Sequence, residues 1–139
     1  PEEIYTNPQT LFVAQFFGHP GMNALTSMGI SEGALNFESW RLPLSPPLLD
    51  KAGKSAKPVV GFRPEKGKLL SGSQEGAVKL PVKFLAGENF GHEFFHYLQT
   101  PDGQQLSIRS VEKAGRIPEA VYLNPKDLYL FDSQTGTRI

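Results

Sequence analysis

The stretch at residues 88–109 reads ENFGHEFFHYLQTPDGQQLSIR, and its local structure decides both the fold and the chemistry open to the chain. Residues 92–96 match the H-E-x-x-H zinc motif. If the stretch is a helix, His92 and His96 lie on one face and can bind zinc, with Glu93 as the general base. As two strands, it forms a β-hairpin that turns at the Pro-Asp-Gly sequence of residues 101–103. The first interpretation predicts a zinc hydrolase, and the second a β-rich domain.

The two interpretations differ in geometry. A zinc ion needs both imidazole nitrogens within about 2.1 Å of it. Four residues advance about 6 Å along a helix but about 13 Å along a strand, so the zinc interpretation requires the helix. The aromatic residues Phe94, Phe95 and Tyr97 favour a strand, and Pro-Asp-Gly is typical of a tight turn. Beyond the turn, Leu106 and Ile108 alternate with polar residues, as in a strand with one buried face. The sequence therefore favours the hairpin, and the zinc hydrolase stays as an alternative.

Composition limits the remaining classes of protein. The chain has 139 residues, with 14 glycines and 12 prolines, which favours many turns and short strands. It contains no cysteine, so neither disulfides nor thiolate metal sites hold the fold. Lysine plus arginine and aspartate plus glutamate are equal at 14 each, so no excess positive charge points to nucleic acid. The chain begins at Pro1 without a methionine, and we expect it to be a fragment of a longer protein.

One helix is predicted near the N-terminus. Residues 6–9 carry two alternative start signals, a capping box from Thr6 to Gln9 or an Asn7 cap followed by proline. Phe12 and Phe16 are spaced by four residues, which places them on one helical face, and Gly18 ends the helix. The apolar surface is wide for so short a helix, so we expect it to lie between two bodies or deep on a sheet.

Strands dominate the rest of the chain. Alternating apolar residues and turn signals predict seven or so short strands in a small barrel or a pair of barrels. Proline-rich residues 42–57 are predicted to form a long, mobile surface loop, and residues 66–75 a second loop. Besides the hairpin, the predicted strands cover residues 24–30, 35–40, 58–64, 78–84, 120–123 and 128–131.

Four groups of residues together resemble a known family, the ATP-hydrolysing subunits of sugar-type ABC importers, such as the maltose and glycerol-phosphate transporters. Their order and spacing are similar to the segment that follows the nucleotide-binding domain in that family. Phe62 departs from the pattern, because the family usually has an aliphatic residue there. The groups are Ile4-Tyr5 with Pro8, Phe12-Val13-Ala14, Phe16-Phe17-Gly18, Pro20 and Met22-Asn23; Gly61-Phe62-Arg63-Pro64-Glu65; Glu88-Asn89-Phe90-Gly91 with Glu93; and Leu128-Tyr129-Leu130-Phe131-Asp132 with Thr135-Gly136 and Arg138-Ile139.

The resemblance implies a mostly β accessory domain of the OB-fold or TOBE type. Residues 1–23 would be a helix that links from a missing nucleotide-binding domain, and residues 24–139 would form the OB-like barrel or barrels of short antiparallel strands. The domain would lie on the cytoplasmic side of the membrane, peripheral to its inner face. Its partners would be a second copy of itself in a homodimer, the permease subunits through the parent chain, and a regulator or small ligand. No nucleic acid is expected.

The resemblance also implies that the parent protein hydrolyses ATP, with ATP and magnesium bound in the missing domain. The sequence itself has no G-x-x-x-x-G-K-[ST] loop to hold phosphates, so we expect no catalytic residue and no cofactor in this chain. A stand-alone OB-type ligand binder is a second alternative, and His92 with His96 would be the metal ligands of the zinc alternative. The candidate interface residues are Phe16, Met22, Asn23, Arg63, Glu65 and Glu88; the alternative for Arg63 with Glu65 is a surface ion pair, and for Glu88 a turn cap.

Overall fold

The computed structural model describes residues 1–69 and 76–139, and within them the chain is mostly β. The sequence prediction of a mostly β chain of short antiparallel strands is therefore confirmed. The helices are α1 (Glu2–Thr6), α2 (Leu11–Phe16) and α3 (Pro46–Ala52), and 3-10 turns cover Pro64–Lys66 and Pro125–Asp127. The strands are β1 (Asn23–Thr26), β2 (Gly29–Ser31), β3 (Ala34–Asn36), β4 (Arg41–Pro43), β5 (Pro58–Phe62), β6 (Val78–Pro81), β7 (Lys83–Asn89), β8 (Phe94–Gln99), β9 (Gln105–Ser110), β10 (Ala120–Leu123) and β11 (Tyr129–Asp132).

The strands form four small antiparallel sheets around one main core. The sheet orders are β1-β5-β11, β2-β3-β4, β6-β10 and β7-β8-β9. Every residue of β5 is buried, because this strand lies between two neighbours and its Val59 packs in one cluster with Ala14 of α2. The four sheets share the core, since each contributes fully buried side chains to it: Leu25, Leu35, Val60, Leu80, Leu98 and Val121. None of the helices in residues 1–69 and 76–139 is long and apolar enough to cross a membrane.

The hairpin prediction is confirmed from Phe94 onward, whereas residues 88–89 belong to the preceding strand β7. β8 and β9 pair in register from Phe94 opposite Ser110 to Gln99 opposite Gln105, and the Pro-Asp-Gly turn joins them. Gly103 has φ +90°, the left-handed conformation that glycine adopts without strain. Because residues 94–99 are extended, the helical condition for a zinc pair is not met. Among the described residues, no group of three or more histidine, aspartate or glutamate side chains could hold a metal ion.

The prediction of a single N-terminal helix is wrong. Helix α1 ends at Thr6, and α2 begins only after Thr10, whose hydroxyl accepts a hydrogen bond from Val13 N at 3.1 Å. The intervening residues are held extended by the C-terminal tail, because Leu11 N donates to Gly136 O and Thr10 forms a β-bridge with Thr137. This tertiary pairing overrides the local start signals at residues 6–9.

The prediction of a mobile loop at residues 42–57 is also wrong. The segment contains most of β4 and the helix α3, which has Ser45 at its N-cap and Pro46 at its first position. Leu42 and Ala52 are buried in the main core, so packing holds the segment in place. The predicted strand at residues 24–30 is two strands instead, because Ser27 N still donates to Pro58 O beside β5, whereas Met28 N donates to Asn36 O in the neighbouring sheet. Residues 70–75 of the second predicted loop lie outside the described residues.

Side-chain amides connect the β1 sheet to the β9 sheet. Asn23 donates from Nδ2 to Ser107 O at 2.8 Å and accepts from Ser107 N at 2.8 Å. Gln104 does the same with Thr26, accepting from its N–H at 2.8 Å and donating to its carbonyl at 3.0 Å. Each amide thus reproduces the paired hydrogen bonds of a backbone ladder across a gap between two strands.

Candidate interaction surface

A buried arginine fixes both N-terminal helices to the end of β5. Arg63 is only 2% exposed, and its Nη1 donates to the carbonyl oxygens of Ala14 at 2.7 Å and Phe17 at 2.8 Å. Its Nη2 donates to Tyr5 O at 2.9 Å, and its guanidinium carbon lies 3.9 Å from the centre of the Tyr5 ring. The positive charge therefore satisfies carbonyls at the C-terminal end of α2, where the helix dipole is negative.

A chain of polar contacts continues from Tyr5 to the β8–β9 sheet. The Tyr5 hydroxyl donates to Glu65, Glu65 lies 3.6 Å from Arg109, and Arg109 lies 3.9 Å from Glu93. Burial, and then the hydrogen bond to Glu65, raises the pKa of Tyr5 to about 12, so its hydroxyl stays protonated at neutral pH. The two ion pairs are half-exposed, so each contributes at most about 1 kcal/mol.

These charged residues line a cleft of about 650 Å³ beside β9. Glu65, Glu93 and Arg109 form one wall, and Val111 lies at the rim, 78% exposed. Since the lining contains charges of both signs, the cleft could receive a zwitterionic small ligand or a segment of another protein.

Four apolar side chains form an exposed surface around α2, which we call the aromatic patch: Ile4, Phe12, Phe16 and Phe17. Phe12 is 74% and Phe16 is 68% exposed, and their rings stack with centroids 5.8 Å apart. Phe16 and Phe17 meet edge to face at 5.2 Å. The opposite side of α2 is buried through Ala14, which packs with residues of β5 and β11. The helix is therefore buried on one side and open on the other.

The six candidate interface residues lie in different environments. Phe16 and Glu88 are exposed, and Glu88 accepts a hydrogen bond from the Tyr97 hydroxyl. Met22, Asn23 and Arg63 are buried within the chain, and Glu65 is half-buried. An interface role for each stays a prediction, but the contacts of the three buried residues in this structure are with the chain itself.

The two histidines of the H-E-x-x-H pattern lie in different surroundings. His92 is exposed in the connection between β7 and β8, while His96 is buried on β8 with Nε2 3.2 Å from the Ser110 hydroxyl. Burial lowers the pKa of His96, so its ring is neutral at pH 7. The buried histidine therefore stabilises the sheet as an uncharged hydrogen-bonding group.

Sequence reasoning missed the partners of Arg63, and its candidate interface residues omitted three members of the aromatic patch: Ile4, Phe12 and Phe17. Nothing local indicates that Arg63 reaches carbonyls 46 to 58 residues away. The acidic pair Glu2-Glu3, favourable in the first turn of a helix, was a usable signal for α1.

Comparison with known proteins supplies the family context, although no protein-family model matches the chain. The sn-glycerol-3-phosphate import ATP-binding protein UgpC of Cereibacter sphaeroides is 35% identical over 142 residues, which cover 100% of this chain and 38% of the relative. UgpC of Escherichia coli K12 is 32% identical over 148 residues, covering 100% of this chain and 39% of the relative. The trehalose/maltose import ATP-binding protein MalK of Thermococcus litoralis is 29% identical over 153 residues, which cover 100% of this chain and 40% of the relative.

The chain thus spans about two fifths of the length of the relatives it matches, 38–40%. The match extends over all four groups of residues that carry the resemblance. Over its whole length, the chain is homologous to the C-terminal part of the ATP-binding subunits of sugar-type ABC importers, as its motifs predicted.

Proposed function

We propose that this chain is the accessory domain of the ATP-binding subunit of a sugar or sugar-phosphate importer, and that it performs no chemistry itself. The observation that carries the proposal is the similarity of the entire chain to UgpC and MalK. Because the sequence lacks a phosphate-binding loop, ATP and magnesium would bind in the remaining part of the parent protein. The domain would lie on the cytoplasmic face of the membrane with the permease subunits.

The mechanical role would be to hold two ATP-binding subunits together while their nucleotide sites open and close. A second copy of the domain would be the partner in this homodimer. β7 supports such contacts, because it lies at the edge of its sheet, pairs only with β8 among the described strands, and exposes most of its length. The cleft beside β9 would be the place for a regulator or a small ligand.

The test compares the isolated chain with the polypeptide that its complete gene encodes. We expect magnesium-dependent ATP turnover from the complete polypeptide and none from the isolated chain. ATP turnover by the isolated chain would contradict the proposal, and so would a complete reading frame without a phosphate-binding loop. Lys54→Glu, which changes an exposed charge outside β7 and outside the candidate interface residues, serves as a control that leaves the turnover of the complete polypeptide unchanged.

Dimerisation needs its own measurement. Sedimentation of the complete polypeptide over a range of concentrations should show a dimer, and Leu85→Lys on the free edge of β7 should shift it towards monomer, since a buried unpaired charge opposes association. Lys83→Glu, a charge change at the start of the same strand, is the matched control. A complete polypeptide that stays monomeric at high concentration would remove the homodimer from the proposal.

A further inference from the structure

The aromatic patch on α2 is an exposed apolar surface of the size that is often functional in a folded protein. Phenylalanine side chains have about 150–250 Å² of surface each, so the exposed fractions leave on the order of 400 Å² of contiguous apolar surface open to solvent. Monomeric proteins rarely expose larger contiguous apolar patches, and the largest patch on a protein is often a binding site. The six residues of α2, Leu-Phe-Val-Ala-Gln-Phe, contain no charged side chain that would interrupt it.

We propose that the aromatic patch is the docking surface for the ATP-binding domain of the same polypeptide. The inference rests on the proposed function. The relatives are named ATP-binding proteins. This chain matches only their C-terminal part, which is 38–40% of their length. A parent of this kind would carry its nucleotide-binding part before residue 1. Helix α1 enters beside the patch, because Glu3 and Ile4 line one groove with Val13 and Phe17.

The area of the patch favours a tethered partner over a separate one. A stable interface between two free proteins buries about 800 Å² on each side, roughly twice what the patch offers. Two domains joined by a short connection need less, because the connection gives an effective concentration on the order of millimolar. A second copy of the chain docking through this patch alone would lack that advantage.

The charge around the patch argues against a lipid surface. Helices that bind anionic membranes combine an apolar face with lysine or arginine beside it. Here the neighbouring helix α1 contributes Glu2 and Glu3 in its first turn, no basic residue lies on α1 or α2, and the nearby Arg138 is engaged with the Asn7 side chain. Negative charge at this position would repel anionic headgroups.

The patch is also preorganised for docking. Arg63 anchors the C-terminal end of α2 through two carbonyls and reaches α1 through a third. Because this anchor is buried, the two phenylalanines of α2 project from a fixed helix. A docking partner therefore does not have to order the helix when it binds, which lowers the entropy lost on association.

Cysteine labelling tests the proposal directly, because the isolated chain contains no cysteine. The F16C variant is made in the isolated chain and in the polypeptide of the complete gene, and the rate of maleimide labelling is measured on the peptide that contains it. We expect the rate to fall at least roughly tenfold in the complete polypeptide, as for a buried interface residue. M28C, at a 63% exposed position between β1 and β2, is the matched control and should react equally in both.

The labelling rates distinguish three possible occupants of the aromatic patch: the ATP-binding domain, a second copy of the chain and a membrane surface. Equal F16C rates in both polypeptides would overturn the docking while leaving the proposed function intact. A complete gene without an ATP-binding domain would overturn both. In the complete polypeptide, protection of F16C that disappears on dilution would show a second copy on the patch, and protection that requires anionic phospholipid vesicles would show a membrane surface; either overturns the proposal. F12C, one turn earlier on α2, is a second reporter that should give the same result.

Discussion

The β8–β9 hairpin and the N-terminal segment, residues 1–22, are held in place by different kinds of interaction. The hairpin has a continuous backbone ladder and places Leu98 and Ile108 in the main core. The N-terminal segment has two helices of five and six residues, too short to be stable alone. Hydrogen bonds from Arg63 and the small cluster around Ala14 hold it to the domain. Damage to the hairpin should therefore unfold the whole domain, whereas damage to the anchor should release one segment.

Leu98→Ala should have the largest effect. Leu98 is fully buried, so removing most of its side chain leaves a cavity and should lower the free energy of unfolding by about 4 kcal/mol. Chemical denaturation measures this, and amide hydrogen exchange should accelerate throughout the domain. Leu85→Ala, at a 42% exposed position on β7, should change stability by less than about 1 kcal/mol. Equal effects of the two substitutions would mean that the hairpin is not part of the core.

Arg63→Met should lower stability by about 3 kcal/mol, because three carbonyls lose their donors and each net hydrogen bond contributes about 1 kcal/mol. Here the faster amide exchange should be confined to α1 and α2, with the protection of β8 and β9 unchanged. Arg116→Met, at an exposed arginine, is the control and should have almost no effect. Uniform loss of protection across the sheets would show that the segment and the domain unfold as one unit.

Gln104→Ala tests the amide bridge between the two sheets. It removes two hydrogen bonds to Thr26 at a partly exposed position, so we expect a loss of about 1 kcal/mol. Gln105→Ala removes the same side chain from the next residue, which is exposed, and should change stability by less than about 0.5 kcal/mol. If the two variants are equally stable, the bridge does not contribute to the association of β1 with β9.

The smallest effect should come from pH. Burial lowers the pKa of His96, so the folded chain binds its proton less readily than the unfolded chain, in which the pKa is about 6.5. Stability from this group is fully present above about pH 6.5 and is lost as pH falls through that value. Denaturation midpoints measured between about pH 8 and pH 5 should show this decline. His96→Gln should reduce the decline, and His92→Gln, at the exposed histidine, should keep it.

Local signals predicted the hairpin well because its turn and its strands are encoded by neighbouring residues. Pro-Asp-Gly specifies the turn, and the alternation of Leu106 and Ile108 with polar residues specifies which face is buried. The short strands of residues 120–123 and 128–131 were also found, within one or two residues, from the same kind of pattern. The family resemblance depended on motifs that are likewise continuous in sequence.

The remaining features depend on contacts between distant residues. α2 begins at Leu11 because Thr10 caps it and the C-terminal tail pairs with Thr10; the cap is local, but no local pattern encodes the pairing. Helix α3 is different, since Ser45 followed by two prolines was a readable start signal that the high proline content obscured. For the candidate site, the sequence indicated Phe16 and Arg63 but not their opposite roles, one exposed on the patch and the other buried beneath it.

The amides that join β1 to β9 make two positions chemically sensitive. Asn23 and Gln104 each donate and accept at the same backbone residue, Ser107 and Thr26 respectively. Deamidation would convert either side chain into a carboxylate of nearly the same shape that can only accept, and it would then face a carbonyl oxygen with like partial charge. Hydrolysis of either amide, which consumes one water and releases one ammonia, would thus weaken the hydrogen bonds between the sheets without a change in side-chain size, so the stability of the folded domain depends on the slow chemistry of two side chains.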